Sequence, residues 1–203
     1  MGAEGATLLA TAFLADTLTT MHACDWARPV IATTGDKSTV FNGHPVWSQT
    51  SAPVSSVHVW LQGLGDLGAR QERILRRGIQ LDGSAIALGA DSPSLTSHML
   101  LCAREALSTC DAAIGPSHDG GYYLLALRTC PEGLLSGLPW SQPNTYTATC
   151  ERLSALGLSF KELEPCGDVD SPADWVALCR QQARGDLDAP ATTRAITTIL
   201  QRD

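Results

Sequence analysis

The sequence predicts an α/β fold, a three-layer sandwich with a mostly parallel central sheet. Short apolar runs alternate along the chain with longer amphipathic stretches, and this alternation is typical of strands joined by crossover helices. Several of the runs end in turns that carry an aspartate, such as Asp91 and Asp119. Hydrophobic residues make up 44% of the chain and charged residues 17%. This balance favours a single well-packed domain that covers residues 1–203.

The first half of the chain is predicted to begin with a helix and then to form two strands. Ala3 to Cys24 has the periodicity of an amphipathic helix, Pro29 to Thr33 is a short β-rich run, and Val54 to Leu61 alternates as a strand does. The loop between the two strands is rich in glycine, serine and proline. A glycine turn follows, and a helix is predicted from about Leu67 to Gly78.

The second half repeats the alternation. Tyr122 to Leu127 is an apolar run that follows a glycine turn, and Pro172 is placed to open a late helix behind the cap residue Ser171. The remaining predicted elements are strands at Ser84 to Leu88, Ala112 to Ile114 and Phe160 to Leu163, and helices from Ser94 or Thr96 to Thr109, from Asn144 to Leu156, from Pro172 to Arg184 and from Ala191 to Gln201.

Four aspartates follow predicted strands. Ligands of open α/β sheets bind at the carboxyl ends of the strands, so we expect Asp66, Asp91, Asp119 and Asp170 to approach one edge. Carboxylates beside bound phosphates suit Mg²⁺ or Mn²⁺, with Asp91 as the first ligand and Asp170 or Asp168 as the second. The alternative is that these residues serve their turns and helix starts, where aspartate is favoured for its own sake.

The glycine turn at Gly63, Gly65 and Gly68 lies between a predicted strand and a helix. Such a junction can present backbone N–H groups to an anion. The spacing alone is weak evidence for this function, because an ordinary turn uses the same residues.

Composition excludes several classes of protein. The net charge of -7, with Lys37 and Lys161 as the only lysines, argues against a nucleic acid or an anionic membrane as partner. No apolar run approaches a membrane helix of about 20 residues and no basic signal region opens the chain, so a cytoplasmic location is predicted. The seven cysteines are scattered without a Cys-x-x-Cys pair, as in reduced proteins. The five histidines are also scattered, which argues against hydrolysis by a Ser-His-Asp triad.

Six blocks in order resemble the radical-SAM/selenodomain-associated transferase family, which belongs to the GT-A-like nucleotide-diphospho-sugar transferases. The blocks run from Phe13 to Asp174, and the whole resemblance from about Ala3 to Leu178. They are Phe13-Leu14-Ala15-Asp16-Thr17-Leu18, Gln62-Gly63-Leu64-Gly65-Asp66-Leu67-Gly68-Ala69-Arg70, Gly89-Ala90-Asp91-Ser92-Pro93-Ser94-Leu95, Gly115-Pro116-x-x-Asp119-Gly120-Gly121-Tyr122-Tyr123-Leu124, Leu138-Pro139-Trp140-Ser141 and Asp168-Val169-Asp170-Ser171-Pro172-x-Asp174.

The resemblance implies a GT-A fold, a nucleotide or nucleotide sugar as donor, a small-molecule acceptor and Mg²⁺ or Mn²⁺ as cofactor. It places Asp91, Asp168 and Asp170 at the metal and gives Asp119 and Asp91 catalytic roles, with Asp119 orienting or deprotonating the acceptor. The nucleotide would lie against Gly63, Gly65, Asp66, Leu67, Gly68 and Arg70, and the acceptor against Gly120, Gly121, Tyr122, Trp140 and Ser141.

Three functions follow from these observations. The first is metal-dependent glycosyl or nucleotidyl transfer from a nucleotide-activated donor. The second is a catalytically degenerate member of the family that binds a ligand or a protein, and the third is a phosphatase or hydrolase that uses the carboxylates.

The chain departs from the family at its start. Relatives open with an apolar strand and a basic Lys-x-Pro-x-x-Gly-x-Val-Lys-Thr-Arg-Leu segment, and neither is found here before the predicted first helix. Because that strand is central in the sheet, its absence would leave unpaired strand edges. We therefore expect a homodimer formed through an exposed sheet edge.

Overall fold

Helices and strands alternate along most of the chain, as the sequence predicts. The computed structural model describes residues 2–35, 40–41 and 43–202. Helix α1 spans Ala3–His22, strand β1 Val30–Thr33 and strand β2 His58–Leu61, and two 3-10 turns at Pro45–Ser48 and Val54–Ser56 lie between the strands. The later elements are α2 (Leu67–Asp82), β3 (Ala85–Leu88), α3 (Ser97–Ala106), β4 (Ala112–Pro116), β5 (Tyr122–Leu127), α4 (Thr145–Ala155), β6 (Phe160–Glu162), α5 (Pro172–Arg184) and α6 (Pro190–Leu200).

The strands form two pieces of sheet. Strands β1 and β2 pair in parallel, and the other piece has the order β3-β5-β4-β6. Strands β3, β4 and β6 share one direction, whereas β5 is antiparallel to its neighbours. The four-stranded piece is therefore mixed, with three strands in one direction and β5 in the other. The physical reason is the short connection from β4 to β5, which permits a hairpin, whereas a parallel crossover needs about a dozen residues.

Helices cover both faces of the four-stranded piece. Successive residues of a strand point to opposite faces, and here Ala113 and Ala126 pack in a cluster with α3. Ile114 and Leu125 point the other way and pack in a cluster with α2 and α4. All four side chains are fully buried. The result is the three-layer arrangement that the sequence predicts.

Helix α1 packs along α6. Phe13 and Leu18 of α1 share a core cluster with Ile196 and Ile199 of α6. Burial of such side chains stabilises each by about 1.5–3 kcal/mol relative to exposure. In the described part of the chain, no helix is both long enough and apolar enough to cross a membrane.

Asp16 has a structural role in this helix pair. Its buried carboxylate accepts hydrogen bonds from the backbone N–H groups of Ala191 and Thr192, at 2.9 and 2.8 Å. These groups are among the first of α6, where an α-helix leaves donors unpaired and where its dipole favours negative charge. Asp16 therefore caps α6 from a distant part of the sequence.

Two element boundaries differ clearly from the predictions. The predicted strand Val54 to Leu61 begins only at His58, because a 3-10 turn follows Pro53. Helix α2 continues past Gly78 to Asp82 and ends at Gly83, whose φ of 79° is left-handed. Gly78 is tolerated because its Cα packs against Ala85 of β3, where a side chain would collide.

Candidate functional site

Three loops meet at the carboxyl edge of the four-stranded piece, because β3, β4 and β6 all end there. The loop after β6 is joined to the loop after β3 by a hydrogen bond from Val169 N to Asp91 O, at 3.1 Å. It is joined to the end of β4 by a bond from Cys166 N to Pro116 O, also 3.1 Å, and Ser117 pairs with Cys166 as an isolated bridge. Backbone contacts thus fix the relative positions of the three loops.

These loops bring three carboxylates together. Asp119, Asp168 and Asp170 each offer an oxygen, and the three oxygens lie within 4.8 Å of one another. Asp119 and Asp170 are exposed and Asp168 is half-buried. The arrangement is an open, oxygen-only donor set, which suits a hard cation such as Mg²⁺ or Mn²⁺ that keeps several waters. The sequence assigned Asp168 and Asp170 to the metal and Asp119 to the acceptor, whereas the geometry places Asp119 with the other two.

The β4–β5 turn orients the Asp119 carboxylate. Its Oδ1 accepts hydrogen bonds from the Ser117 hydroxyl at 2.6 Å and from the Gly121 N–H at 2.8 Å. Its Oδ2 accepts no hydrogen bond from the described residues and is free for a ligand. Ser117 was not among the predicted site residues, although the spacing Ser117-x-Asp119 is one that permits a local side-chain hydrogen bond in a turn.

Asp91 lies beside this cluster, since its carbonyl accepts the hydrogen bond from Val169 N in the loop that carries Asp168 and Asp170. Burial is the main cause that raises the pKa of Asp91, and the negative charges of Asp170 and Asp119 raise it further, while a backbone hydrogen bond acts in the opposite direction. Asp91 as a whole is nevertheless exposed to solvent, so water limits the effect of burial on its pKa. The pKa of Asp168 is also raised, first by burial and then by the charges of Asp119, Asp170 and Asp91. A cation bound beside Asp91 and Asp168 would favour their charged forms and so lower both pKa values again.

A capping box fixes the start of α5 next to the cluster. The Ser171 hydroxyl accepts from Asp174 N at 3.3 Å, and the Asp174 carboxylate accepts from Ser171 N at 2.8 Å. Hydrogen bonds from Ser171 lower the pKa of Asp174. The Asp174 carboxylate therefore caps α5, whereas the carboxylate of Asp170 accepts no hydrogen bond from the described residues. Of the acidic residues in this block, Asp168 and Asp170 are the ones available to a ligand.

Ser92 is a second residue that the sequence did not indicate. It follows Asp91 directly, its side chain is 2% exposed, and its hydroxyl has no hydrogen-bond partner in the described part of the chain. A buried hydroxyl without a partner is rare and costs free energy. Next to an open carboxylate cluster, it is a candidate contact for water or ligand.

The glycine turn after β2 satisfies its own polar groups. The Asp66 carboxylate caps α2 by accepting from Ala69 N at 2.8 Å. Arg70 donates to the carbonyl of Gly65 at 2.8 Å, and Arg73 donates to the carbonyl of Leu64 at 2.9 Å. The carboxylate occupies the helix start where an anion would bind, and the two guanidinium groups contact backbone rather than open space. The predicted binding of nucleotide by Asp66 and Arg70 would therefore require these contacts to change.

Gly68 is buried, whereas the neighbouring Leu67 is exposed to solvent. Gly68 is buried, and a Cβ there would lie 2.1 Å from the Leu135 carbonyl and 2.9 Å from Trp140 Nε1. Its lack of a side chain therefore permits close packing of α2 on the loop that carries Trp140. Leu67 is exposed, as are Gly63 and Gly65, so these three retain access to a ligand.

The residues predicted to bind the acceptor form one packed unit. Trp140 contacts Tyr122 edge-on, with ring centroids 6.2 Å apart. Tyr122 donates from its hydroxyl to Gln71 of α2 at 3.2 Å, and burial raises the pKa of Tyr122. The buried Trp140 N–H has no acceptor in the described residues. Ser141 has φ 57°, a left-handed conformation that is uncommon outside glycine.

Gly120 joins this unit to the Asp119 turn. Its φ is 90°, and a Cβ at this position would lie 1.9 Å from the Pro143 carbonyl. Its own carbonyl accepts from Tyr146 N at 2.9 Å, at the start of α4. Only glycine fits this close approach. The residue thus positions the carboxylate turn against the loop of Trp140 and Ser141 by packing.

Comparisons with known proteins agree with this architecture. No curated protein matches the chain. A solved structure from Desulfovibrio desulfuricans G20, assigned provisionally as a nucleotide-diphospho-sugar transferase, is similar over 98% of this chain and 84% of that chain, at 25% identity and with a TM-score of 0.83. The fold is therefore α/β and GT-A-like. A family model matches residues 17–142, which include Asp91 and Asp119. The chain belongs to DUF2064, a family of uncharacterized proteins conserved in bacteria.

Proposed function

We propose that this protein is a metal-dependent transferase that uses a nucleotide-activated donor. The observation that carries the proposal is the meeting of Asp119, Asp168 and Asp170 within 4.8 Å, with Asp91 close enough for the charges of Asp170 and Asp119 to raise its pKa. The similar protein from D. desulfuricans supports the class of reaction. The narrower resemblance to the radical-SAM/selenodomain-associated transferases is part of the same proposal.

The donor atoms fit Mg²⁺ or Mn²⁺. All of them are carboxylate oxygens, and the open position of the cluster leaves room for waters and for phosphate oxygens of a substrate. A cation held by Asp119, Asp168 and Asp170 would neutralise negative charge on the diphosphate or leaving group. Asp91 would add negative charge beside the cation and so strengthen its binding.

The remaining site residues would position the acceptor. The Asp119 Oδ2 is free, and its carboxylate is held by Ser117 and Gly121, so it could accept a hydrogen bond from an acceptor hydroxyl. The loop of Trp140 and Ser141 would close that side, since Gly120 packs the two loops together. The donor nucleotide would lie near the exposed turn at Gly63 and Gly65.

Calorimetry can test the proposal with nucleoside diphosphate sugars and nucleoside triphosphates, each titrated with Mn²⁺ and with EDTA. We expect binding only with Mn²⁺, and a loss of about tenfold or more in affinity for Asp170→Asn. Asp188→Asn is the matched control, because Asp188 is exposed and belongs to no ion pair in the described residues. Binding that is equally strong in EDTA would contradict a metal role for the cluster.

A binding protein without catalysis is the second candidate. It is favoured by Arg70 and Arg73, whose guanidinium groups contact the carbonyls of the turn instead of facing a phosphate. Metal-dependent binding without turnover over an acceptor panel would support it. Release of phosphate in the absence of any acceptor would instead support the phosphatase or hydrolase.

A further inference from the structure

The two oxygens of the Asp119 carboxylate are in different surroundings. Its Oδ1 accepts hydrogen bonds from the Ser117 hydroxyl at 2.6 Å and from the Gly121 N–H at 2.8 Å. An ionised carboxylate has about four lone-pair positions, two on each oxygen. The two donors therefore use both positions of Oδ1. Only Oδ2 remains to bind a cation.

The hydrogen bond from Ser117 is strong and shielded from water. An ionised carboxylate has no proton to give, so the hydroxyl is the donor. The distance of 2.6 Å lies in the range of roughly 2.5–2.7 Å that is typical of a hydroxyl bound to a charged oxygen. Because Ser117 is only 8% exposed, water has little access to replace it. Oδ1 is thus held by the protein rather than by solvent.

Backbone contacts fix the turn that carries these groups. Ser117 N donates to Gly121 O at 3.0 Å, and Gly120 N donates to Ser117 O at 3.3 Å. The turn is also tightly packed, since a Cβ at Gly121 would lie 3.0 Å from Asp119 Oδ1 and 3.1 Å from Ser117 Oγ. The two donors therefore cannot follow the carboxylate if it rotates. Turning Oδ1 towards a cation would break both hydrogen bonds.

The surroundings of the cluster provide an independent sign that a polar ligand belongs there. Ser92, directly after Asp91, is 2% exposed, and its hydroxyl has no partner in the described part of the chain. Such groups are rare in folded proteins unless water or a ligand satisfies them. The carboxylate of Asp170 also accepts no hydrogen bond from the described residues. Asp119 thus differs from Asp170 in having one oxygen already occupied.

The number of oxygens that a carboxylate can offer matters for the choice of cation. Ca²⁺ takes about six to eight oxygens and often binds both oxygens of one carboxylate, whereas Mg²⁺ requires a near-ideal octahedron and keeps several waters. Mn²⁺ is also found in octahedral oxygen sites. A carboxylate limited to one oxygen lowers the number of ligands available. This restriction disfavours Ca²⁺ more than Mg²⁺ or Mn²⁺.

We propose that Ser117 is a positioning residue that restricts Asp119 to one ligand oxygen and thereby makes the site prefer Mg²⁺ and Mn²⁺ to Ca²⁺. Ser117 acts through Asp119 and does not itself contact the cation. The inference rests on the proposed function, because it requires a cation at Asp119, Asp168 and Asp170. It adds to that function a residue that determines which cation is used.

Competition for Mn²⁺ measures this preference without nucleotide or turnover. Free Mn²⁺ is followed by its electron paramagnetic resonance signal while Mg²⁺ or Ca²⁺ displaces the bound ion, in the parent protein and in two variants. Ser117→Ala releases one position of Oδ1, so we expect the ratio of the Ca²⁺ Kd to the Mn²⁺ Kd to fall by about tenfold. Ser117→Thr keeps the hydroxyl and should keep the ratio of the parent protein.

Ser171→Ala is the matched control. The Ser171 hydroxyl also donates to a carboxylate at 2.6 Å, but the acceptor is Asp174, which caps α5 and lies outside the cluster. The residue is next to Asp170, so its replacement disturbs the same loop. We expect this variant to change the affinities for Mn²⁺, Mg²⁺ and Ca²⁺ by the same factor and to leave their ratios unchanged. Urea unfolding shows that each variant is folded under the conditions of the titration.

The results that would overturn the inference differ from those that would overturn the proposed function. An unchanged ratio of Kd values in Ser117→Ala, with Mn²⁺ still bound, would overturn the inference alone. An equal fall of the ratio in Ser171→Ala or in Ser117→Thr would do the same, because the effect would then come from packing. Absence of Mn²⁺ binding by the parent protein at millimolar concentration would refute the metal site, and with it both the inference and the proposed function.

Discussion

Removal of one carboxylate from the cluster should have opposite effects with and without metal. The carboxylate of Asp170 accepts no hydrogen bond from the described residues, so Asp170→Asn removes charge without removing such a bond. In the absence of a cation the substitution relieves repulsion with Asp119 and Asp168. We therefore expect the variant to be more stable than the parent protein in EDTA and less stabilised than the parent by Mn²⁺.

The size of the effect follows from the spacing of the oxygens. Two unit charges 4.8 Å apart, the outer limit of the cluster, repel by about 0.9 kcal/mol in a medium as polar as water and by about 3.5 kcal/mol at an effective dielectric constant of 20. Asp170 faces two such neighbours, but the site is open to solvent and salt screens it. A gain of about 1 kcal/mol at low salt is expected, which corresponds to roughly 2–4 °C in Tm for a chain of this size.

Thermal unfolding in EDTA and in Mn²⁺, each at low and at high salt, measures these differences. Saturation with Mn²⁺ at 100 times its Kd should stabilise the parent by about 2.7 kcal/mol, and the variant by much less. Asp188→Asn controls for the loss of one negative charge elsewhere on the surface. A variant that is destabilised equally in EDTA and in Mn²⁺ would refute the argument, because Asp170 would then act through local structure.

Three further changes test other parts of the molecule. Asp16→Ala removes two charged hydrogen bonds to α6, each worth about 1.5–3 kcal/mol. Urea unfolding should therefore show a free energy of unfolding lower by about 3 kcal/mol or more, and Asp16→Asn a smaller loss. A loss below about 1 kcal/mol for Asp16→Ala would contradict the capping role. Gly120→Ala should lower the free energy of unfolding by at least about 2 kcal/mol. The loss should exceed that for Gly133→Ala, where φ is 79° but an added Cβ would meet nothing within 4 Å, and equal losses would exclude the packing role of Gly120. Because the pKa values of Asp91 and Asp168 are raised above 3.8, protons should compete with Mn²⁺ as the pH falls towards 4. A Mn²⁺ affinity that stays constant from pH 7 to pH 4 would contradict this.

Much of the fold could be predicted from periodicity and caps. Tyr122 to Leu127 and Pro172 to Arg184 have the predicted bounds, since apolar runs bounded by turn residues and a Ser-Pro start define them locally. The direction of β5 was not predicted, because it depends on the length of a connection rather than on the residues of the strand. The late start of β2 likewise depends on a 3-10 turn after Pro53.

The candidate site was predictable only in part. The carboxylates of Asp91, Asp119 and Asp170 could be predicted from the strand ends, because the topology of an α/β sheet alone places such residues at its carboxyl edge. The sequence left open whether Asp66 binds a ligand or caps its own helix, and it could not show that Arg70 contacts a carbonyl, because the latter depends on a side-chain contact across a turn. It also could not show that Gly68 serves close packing against Leu135.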